Sequence, residues 1–189
     1  MTWTATCIES AWIDRMRETS KLYICDGAGQ MIDDSEFRRV MGHFPTGVTV
    51  VTSLHEDGTP CGLTVNAFCS LSLDPALVLV CVEDAADSFG CIDRSGVFAV
   101  NILEEGRGES LSRRFSTWGV DDKFRGVAFR TERTGCPILE VALAWVDCRV
   151  TRKIPAGDHT VFIGEVLEGD AHEGSPLVYY RGGYGRFLP

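Results

Sequence analysis

The spacing of hydrophobic positions changes period along the chain. Phe37, Val40, Met41 and Phe44 fall at i, i+3, i+4 and i+7 behind the N-cap candidates Asp33, Asp34 and Ser35. That spacing predicts a short amphipathic helix closing against a core. From Thr46 the period becomes two. Val48 and Val50 point one way, Thr49 and Val51 the other, and the turn-prone His55-Glu56-Asp57-Gly58 follows, as in a strand entering a hairpin. Further runs rich in Val, Ile, Phe and Thr occur at 61–68, 77–82, 97–102, 142–152 and 159–167, bounded by Gly, Pro or Asp. Within 144–151, Ala144, Val146, Cys148 and Val150 share a face read as core, and Trp145, Asp147, Arg149 and Thr151 share a wetter one. Short helices are predicted at 88–94, led by Asp87 and Ser88, and at 108–116, where Leu111 and Phe115 lie four apart.

Six such β runs joined by hairpins, with two or three helices at the crossings, predict a mainly β fold. A closed or partly split antiparallel barrel leaves fewer exposed edges than a flat sheet. Strands do not alternate regularly with helices, which disfavours a doubly wound α/β sheet. Residues 1–31, ending in Asp26-Gly27-Ala28-Gly29 and a short tail, read as an N-terminal appendage ahead of one domain over 32–189. A chain of 189 residues, 44% of them hydrophobic, suffices for one sizeable core and is too short for two comfortable ones.

Charge narrows the partners. With 18 Lys plus Arg against 27 Asp plus Glu, and a net charge of −9, the chain lacks the basic stripe that grips nucleic acid or an anionic membrane. A few local donors can still hold an anionic ligand. The longest apolar run, Ala76 to Val82, is far below the roughly 18–20 residues that cross a bilayer, and the first thirty residues do not read as a signal peptide. The expectation is a soluble, cytoplasmic protein.

Known chemical signatures are mostly missing. Gly27-Ala28-Gly29 is followed by Ile32 where a dinucleotide fingerprint needs its third glycine. No phosphate-binding P-loop, H-E-x-x-H helix or G-x-S-x-G elbow occurs, and His43, His55, His159 and His172 lack ligand-like spacing, so no metal is expected. A Ser/His/Asp triad assembled by folding stays open. The eight cysteines (Cys7, Cys25, Cys61, Cys69, Cys81, Cys91, Cys136 and Cys148) form no C-x-x-C pair. Several, such as Cys81 and Cys148, sit inside apolar runs and read as small hydrophobes rather than as redox or disulfide residues.

One segment carries candidate chemistry. Between Gly62 and Pro75, small polar residues recur at alternate positions, Thr64 and Asn66, then Ser70 and Ser72, in an otherwise apolar stretch. They suit one wall of a site for a flat heteroaromatic ring with a polar rim. They equally suit a strand and turn whose side chains satisfy their own backbone.

This segment and its flanks resemble the short-chain flavin reductases, the reductase components of two-component flavin-dependent monooxygenases. The resemblance runs in order through FRRVMGHFPTGVTVVTS (37–53), GLTVNAFCSLSLDPALVLVCV (62–82), FAVNIL (98–103), DKF (122–124), GCPILEVALAWVDCRV (135–150), GDHTVFIGEV (157–166) and PLVYYRGGYGRF (176–187), nearly all of 33–189. It implies an FMN-binding split β-barrel, six-stranded, antiparallel and Greek-key-like. It also implies a homodimer that uses NADH or NADPH, with NADH favoured, to reduce FMN or FAD, releasing reduced flavin to a separate monooxygenase.

By position, the resemblance puts ring contacts on Thr64, Asn66 and Ala67, with Ser70, Leu71 and Ser72 along the same wall and Cys81 and Val82 at the end of the next strand. It puts the ribityl-phosphate end near Ser88, Arg114 and Phe115. His159 would face the flavin and place the nicotinamide, as the catalytic residue, and Tyr184 would close over the site. Read from the residues alone, Ser88 is an N-cap, Arg114 a solvated helix charge, His159 hydrogen-bonded scaffold and Tyr184 a packed aromatic. Glu83, Asp84 and Asp87 depart from the family by adding negative charge near the phosphate, and the first thirty residues have no counterpart in the family core. Two other functions fit the wall: a split-barrel flavin-binding protein without reductase turnover, and a related oxidase acting on a substrate other than free flavin.

Overall fold

Two long strands organise the molecule, whose computed structural model describes residues 32–120 and 122–188. In chain order the elements are α1 (Asp34–Met41), β1 (Thr46–Gly47), β2 (Thr49–Leu54), β3 (Pro60–Val65), β4 (Phe68–Leu73), β5 (Ala76–Glu83), α2 (Phe89–Ser95) and β6 (Val97–Leu103). They continue with α3 (Arg107–Phe115), β7 (Phe129–Thr131), β8 (Pro137–Leu139), β9 (Ala142–Ala156), β10 (His159–Ala171), β11 (Leu177–Tyr180) and β12 (Gly183–Arg186). Strands β9 and β10, of 15 and 13 residues, pair antiparallel across the turn Gly157-Asp158, where Gly157 takes φ 69°. A two-residue turn with positive φ matches the twist of the strands it joins.

The main sheet has the order β3-β2-β6-β9-β10-β5-β4, with every neighbour antiparallel. It therefore has seven strands where the pattern predicts six. The register of β10 on β9 shifts at Ile163/Gly164 and at Val166/Glu168, and such irregularities bend a long ribbon so that the sheet curls around its core. Gly164 is required at the first bend: a Cβ there would stand 2.5 Å from the Phe98 ring. Val51, Val80, Val82, Phe98, Val100 and Phe162 fill the interior beneath it.

Strand β2 is buried on both faces, Val51 in this core and Val50, with Val48 just before the strand, in a second one with Leu103, Phe115, Leu139 and Leu177. The buried Asn101 ties the 137–139 segment to the sheet. Its Nδ2 donates to the Val50 and Pro137 carbonyls, and its Oδ1 accepts from the Leu139 amide at 2.7 Å. A buried amide with both ends satisfied adds specificity at little desolvation cost.

Three sequence expectations change. Helix α1 forms, with Asp33 accepting from the Glu36 amide at 2.9 Å, but none of its residues is buried, so its apolar face closes against no core among the described residues. On β9 the face read as wetter is also covered at Trp145 and Asp147, because β8 lays Ile138 and Cys136 over Trp145 and Thr134 donates its amide to the Asp147 carboxylate at 2.8 Å. Cys61 and Cys91, read as hydrophobes, are paired as a disulfide between β3 and α2. The appendage over 1–31 lies outside the described residues.

Candidate functional site

Alternation on β3 turns Thr64 away from the core, and the chain then leaves the strand through Asn66 and Ala67. The Ala67 carbonyl accepts from the Cys81 amide at 3.0 Å, so the exit of β3 lies beside the end of β5. Here a cavity of about 290 Å3 opens, bounded by Leu63 to Val65 from β3, Asn66 and Ala67 just beyond it, Cys81 to Glu83 from β5, Asp87 and Ser88 before α2, and Phe115 at the end of α3. Ala86, Ser116, Trp118, Lys123 and His159 complete it.

Each polar group is held by a traceable contact. Thr64 Oγ1 donates to the Ser112 carbonyl at 2.7 Å, which commits its proton and leaves lone pairs for a ligand. Ser88 Oγ donates to the Gly62 carbonyl at 2.9 Å and makes no cap to α2. Its proton is likewise committed, so Ser88 shapes the wall rather than donating to an anion. Asp87 accepts from the Gly119 amide at 2.9 Å and so anchors the loop carrying Trp118.

His159 opens β10, and its Nδ1 lies 2.7 Å from Asp158 Oδ1. The hydrogen bond from His159 holds the exposed Asp158 carboxyl below its ordinary value, so an ionised acceptor fixes Nδ1 as the donor and leaves Nε2 for a ligand. The Asp158 carbonyl in turn accepts from the Asp84 amide at 3.0 Å, while the Asp84 carboxylate takes the Thr160 hydroxyl at 2.8 Å. Asp84 is thereby a brace for the turn, and the carboxylates on the cavity are Glu83 and Asp87.

Lys123 is the only Lys or Arg among the described residues of this lining. Burial pushes its ammonium group below the ordinary value, opposed by Asp87, and Nζ donates to the Phe115 carbonyl at 3.3 Å. Burial, helped by Cys69, pushes the Cys81 thiol up, which keeps it protonated at neutral pH.

A second cavity of about 250 Å3 shares Thr64, Asn66 and Ser116 with the first and adds Val48, Ser112, Tyr179 and Tyr184. The Tyr184 hydroxyl lies 2.8 Å from Ser112 Oγ, and the Arg113 guanidinium sits 4.8 Å over its ring.

Of the residues singled out in the sequence, Thr64, Asn66, Ala67, Cys81, Val82, Ser88, Phe115 and His159 meet at the first cavity, while Tyr184 lines the second. Ser70, Leu71, Ser72 and Arg114 line neither. The alternation does not continue past Asn66, because β4 pairs with β5 at the opposite edge of the sheet from β3. Arg114 lies in the last turn of α3. Ser116, Trp118 and Lys123 escaped the sequence reading as site residues. They sit at the end of a helix and in a loop with no period to read, although Lys123 lies inside the DKF motif.

An apolar lining of Leu63, Val65 and Val82, polar groups on Thr64 and Asn66, and one cation, Lys123, fit a planar ring carrying a phosphate tail. Residues 41–188 match the family described as flavin reductase like domain. The chain belongs to the flavin reductase family. The reductase component of a 4-nitrophenol 4-monooxygenase/4-nitrocatechol 2-monooxygenase from Rhodococcus opacus is 44% identical over 160 residues, covering 85% of this reductase and 84% of the relative. A protein named flavin reductase (NADH), from Kitasatospora aureofaciens, is 43% identical over 166 residues, covering 86% of each chain. The crystal structure of nitrilotriacetate monooxygenase component B from Mycobacterium thermoresistibile superposes with a TM-score of 0.78 at 41% identity, covering 83% of this reductase and 88% of that chain. The fold of the reductase is accordingly the split barrel of this family.

Proposed function

We propose that this flavin reductase transfers hydride from a reduced nicotinamide, NADH in preference to NADPH, to FMN or FAD bound as a dissociable substrate, and that a separate monooxygenase component consumes the reduced flavin. The observation that carries this reading is the pair of cavities sharing Thr64, Asn66 and Ser116, which gives two ligands a common wall. Flavin and nicotinamide supply the hydride chemistry themselves when bound. The chain's task is to hold two rings face to face at reacting distance and to keep water out.

In this reading Thr64 offers lone pairs and Asn66 an amide to a ring edge, while Leu63, Val65, Ala67 and Val82 give apolar contact. Lys123 neutralises the phosphate end, and Ser88 and Asp87 shape the wall around it. Glu83 and Asp87 oppose an anionic tail, which suits a flavin that must leave. His159, oriented by Asp158, lines the first cavity, where its Nε2 faces the flavin and helps to place the nicotinamide. The preference for NADH is supported by the relative named for it.

The proposal extends to residues 32–189 as the reductase domain and to a homodimer in the cytoplasm. A dimer is supported by the apolar side chains of Phe37, Val40, Met41 and Phe44, which are between 47% and 69% exposed. Among the described residues no helix is long and apolar enough to cross a membrane.

The test is loss of absorbance by NADH, and separately NADPH, with added FMN, FAD or no flavin. Oxidation that requires and saturates with added flavin, faster with NADH, is expected. Flavin binding without oxidation by either nicotinamide would overturn the reading in favour of a flavin-binding protein. A flavin retained through purification and turnover indifferent to added flavin would point instead to an oxidase with its own substrate.

A further inference from the structure

We propose that Cys61, Cys91 and His55 form a peroxide-sensitive thiol–disulfide site beside the phosphate end of the flavin cavity. The two cysteines stand 30 residues apart in sequence, on β3 and α2, with Cα atoms 6.7 Å apart, a separation that a disulfide spans. Their burial is nearly complete, whereas His55 is exposed on the β2–β3 hairpin, held there by its amide on the Thr59 carbonyl at 2.9 Å. Its ring nitrogens lie 3.4 and 3.6 Å from Cys91 Sγ, within reach of a thiol proton. A small cavity of about 70 Å3 is lined by His55, Cys61 and Ser88, and gives a small oxidant room beside Cys61, whose sulfur adjoins that of Cys91. Cys136 and Cys148, by contrast, lie within the core and are held protonated by burial, so the reactive pair is distinguished by the His55 base at Cys91 and the cavity at Cys61.

The oxidant is hydrogen peroxide, and its supply rests on the reductase reading: reduced flavin released in the absence of its oxygenase passes two electrons to dioxygen. His55 takes the Cys91 proton, and the thiolate attacks one peroxide oxygen. The O–O bond breaks, and the leaving hydroxide takes a proton to become water. Cys61 then attacks the resulting sulfenic sulfur, the S–O bond breaks, and a second water leaves. Two thiols and one peroxide become one disulfide and two waters, the sulfurs losing two electrons. The consequence falls on the flavin wall: Gly62, next to Cys61, holds Ser88 Oγ, and the Cys91 amide donates to the Ser88 carbonyl at 3.2 Å. The disulfide thus braces the segment that shapes the phosphate end.

The test uses the full chain, reduced, freed of reductant and treated with a small excess of hydrogen peroxide. Thiol counting and peptide mapping should show two thiols lost per chain, one Cys61–Cys91 peptide, and reversal by dithiothreitol. His55→Gln should slow the loss at least tenfold, and flavin KM should be about threefold lower in the oxidised protein, a difference Cys61→Ser abolishes. Retention of both thiols, linkage of another pair, an unchanged rate in His55→Gln or an unchanged KM would overturn the proposal. So would one equivalent of zinc that binds the reduced protein and protects both thiols, which marks a metal site instead. In a second arm, NADH, flavin and air replace added peroxide, and catalase should block the oxidation. Failure of NADH consumption there, with the added-peroxide arm intact, counts against the reductase reading rather than the thiol site.

Discussion

Lys123→Met removes the one Lys or Arg among the described residues lining the cavity proposed for flavin, while keeping an unbranched chain of similar length. A hydrogen bond to a charged group contributes about 1.5–3 kcal/mol. Lys123 is only half-buried, so water screens it and the lower end applies, about 1.5 kcal/mol, close to a tenfold change in affinity. The loss also removes the positive charge that faces Asp87, which adds repulsion toward an anionic tail at low ionic strength. The expected result is FMN binding about tenfold weaker at low salt, with the gap narrowing as salt rises. Riboflavin, which lacks the phosphate, should change less than about twofold, because its affinity contains no such ion pair. Fluorescence titration of both flavins against wild type and variant reads the ratio directly. Equal weakening of FMN and riboflavin would refute the reasoning, since Lys123 would then act by packing the 115–124 segment. Unchanged FMN affinity would put the phosphate elsewhere.

Four further outcomes are expected. His159→Ala should leave flavin affinity within about twofold and lower kcat/KM for NADH about tenfold, which is 1.4 kcal/mol of lost positioning; loss of flavin affinity instead would make His159 a flavin ligand only. Asp87→Asn keeps an acceptor for the Gly119 amide but removes a charge, so flavin should bind more tightly at low salt, and an unchanged or weaker affinity would count against a phosphate near Asp87. Gly164→Ala forces a methyl into the Phe98 ring, an overpacking cost of about 1–3 kcal/mol and a Tm lower by several degrees, partly relieved by Phe98→Leu in a thermal-unfolding comparison. Stability should also fall in alkali. Burial raises the Cys136 and Cys148 thiols from 9.0 to about 11 and about 12, so the unfolded chain loses these protons first and the contribution present below pH 9 is lost as pH rises toward those values. Denaturation midpoints between pH 8.5 and 10.5 should show the decline, and Cys136→Ala with Cys148→Ala should flatten it.

Local periodicity made most of the strand frame legible. Period two located β2 and β9, runs rich in β-branched and aromatic residues located β5, β6 and β10, and helical spacing located α2 and α3 to within a residue or so and α1 except that it ends at Met41, short of Phe44, because side-chain direction is a property of the chain's own dihedrals. The same local rule turned Thr64 outward and put His159 at a strand start beside a glycine turn. Longer-range facts had no local signature. Whether Trp145 meets water depends on β8 folding over it, and whether Ser70 to Ser72 continue the wall of Thr64 depends on β4 crossing to the far edge of the sheet. The pairing of Cys61 with Cys91, the shared boundary of the two cavities and the approach of Lys123 all join segments tens of residues apart. The sequence by itself determined which segments are strands and helices and which way their side chains alternate. What lies against each face was decided only by the tertiary structure, because burial, cavity walls and charge neighbours arise between elements and not along them.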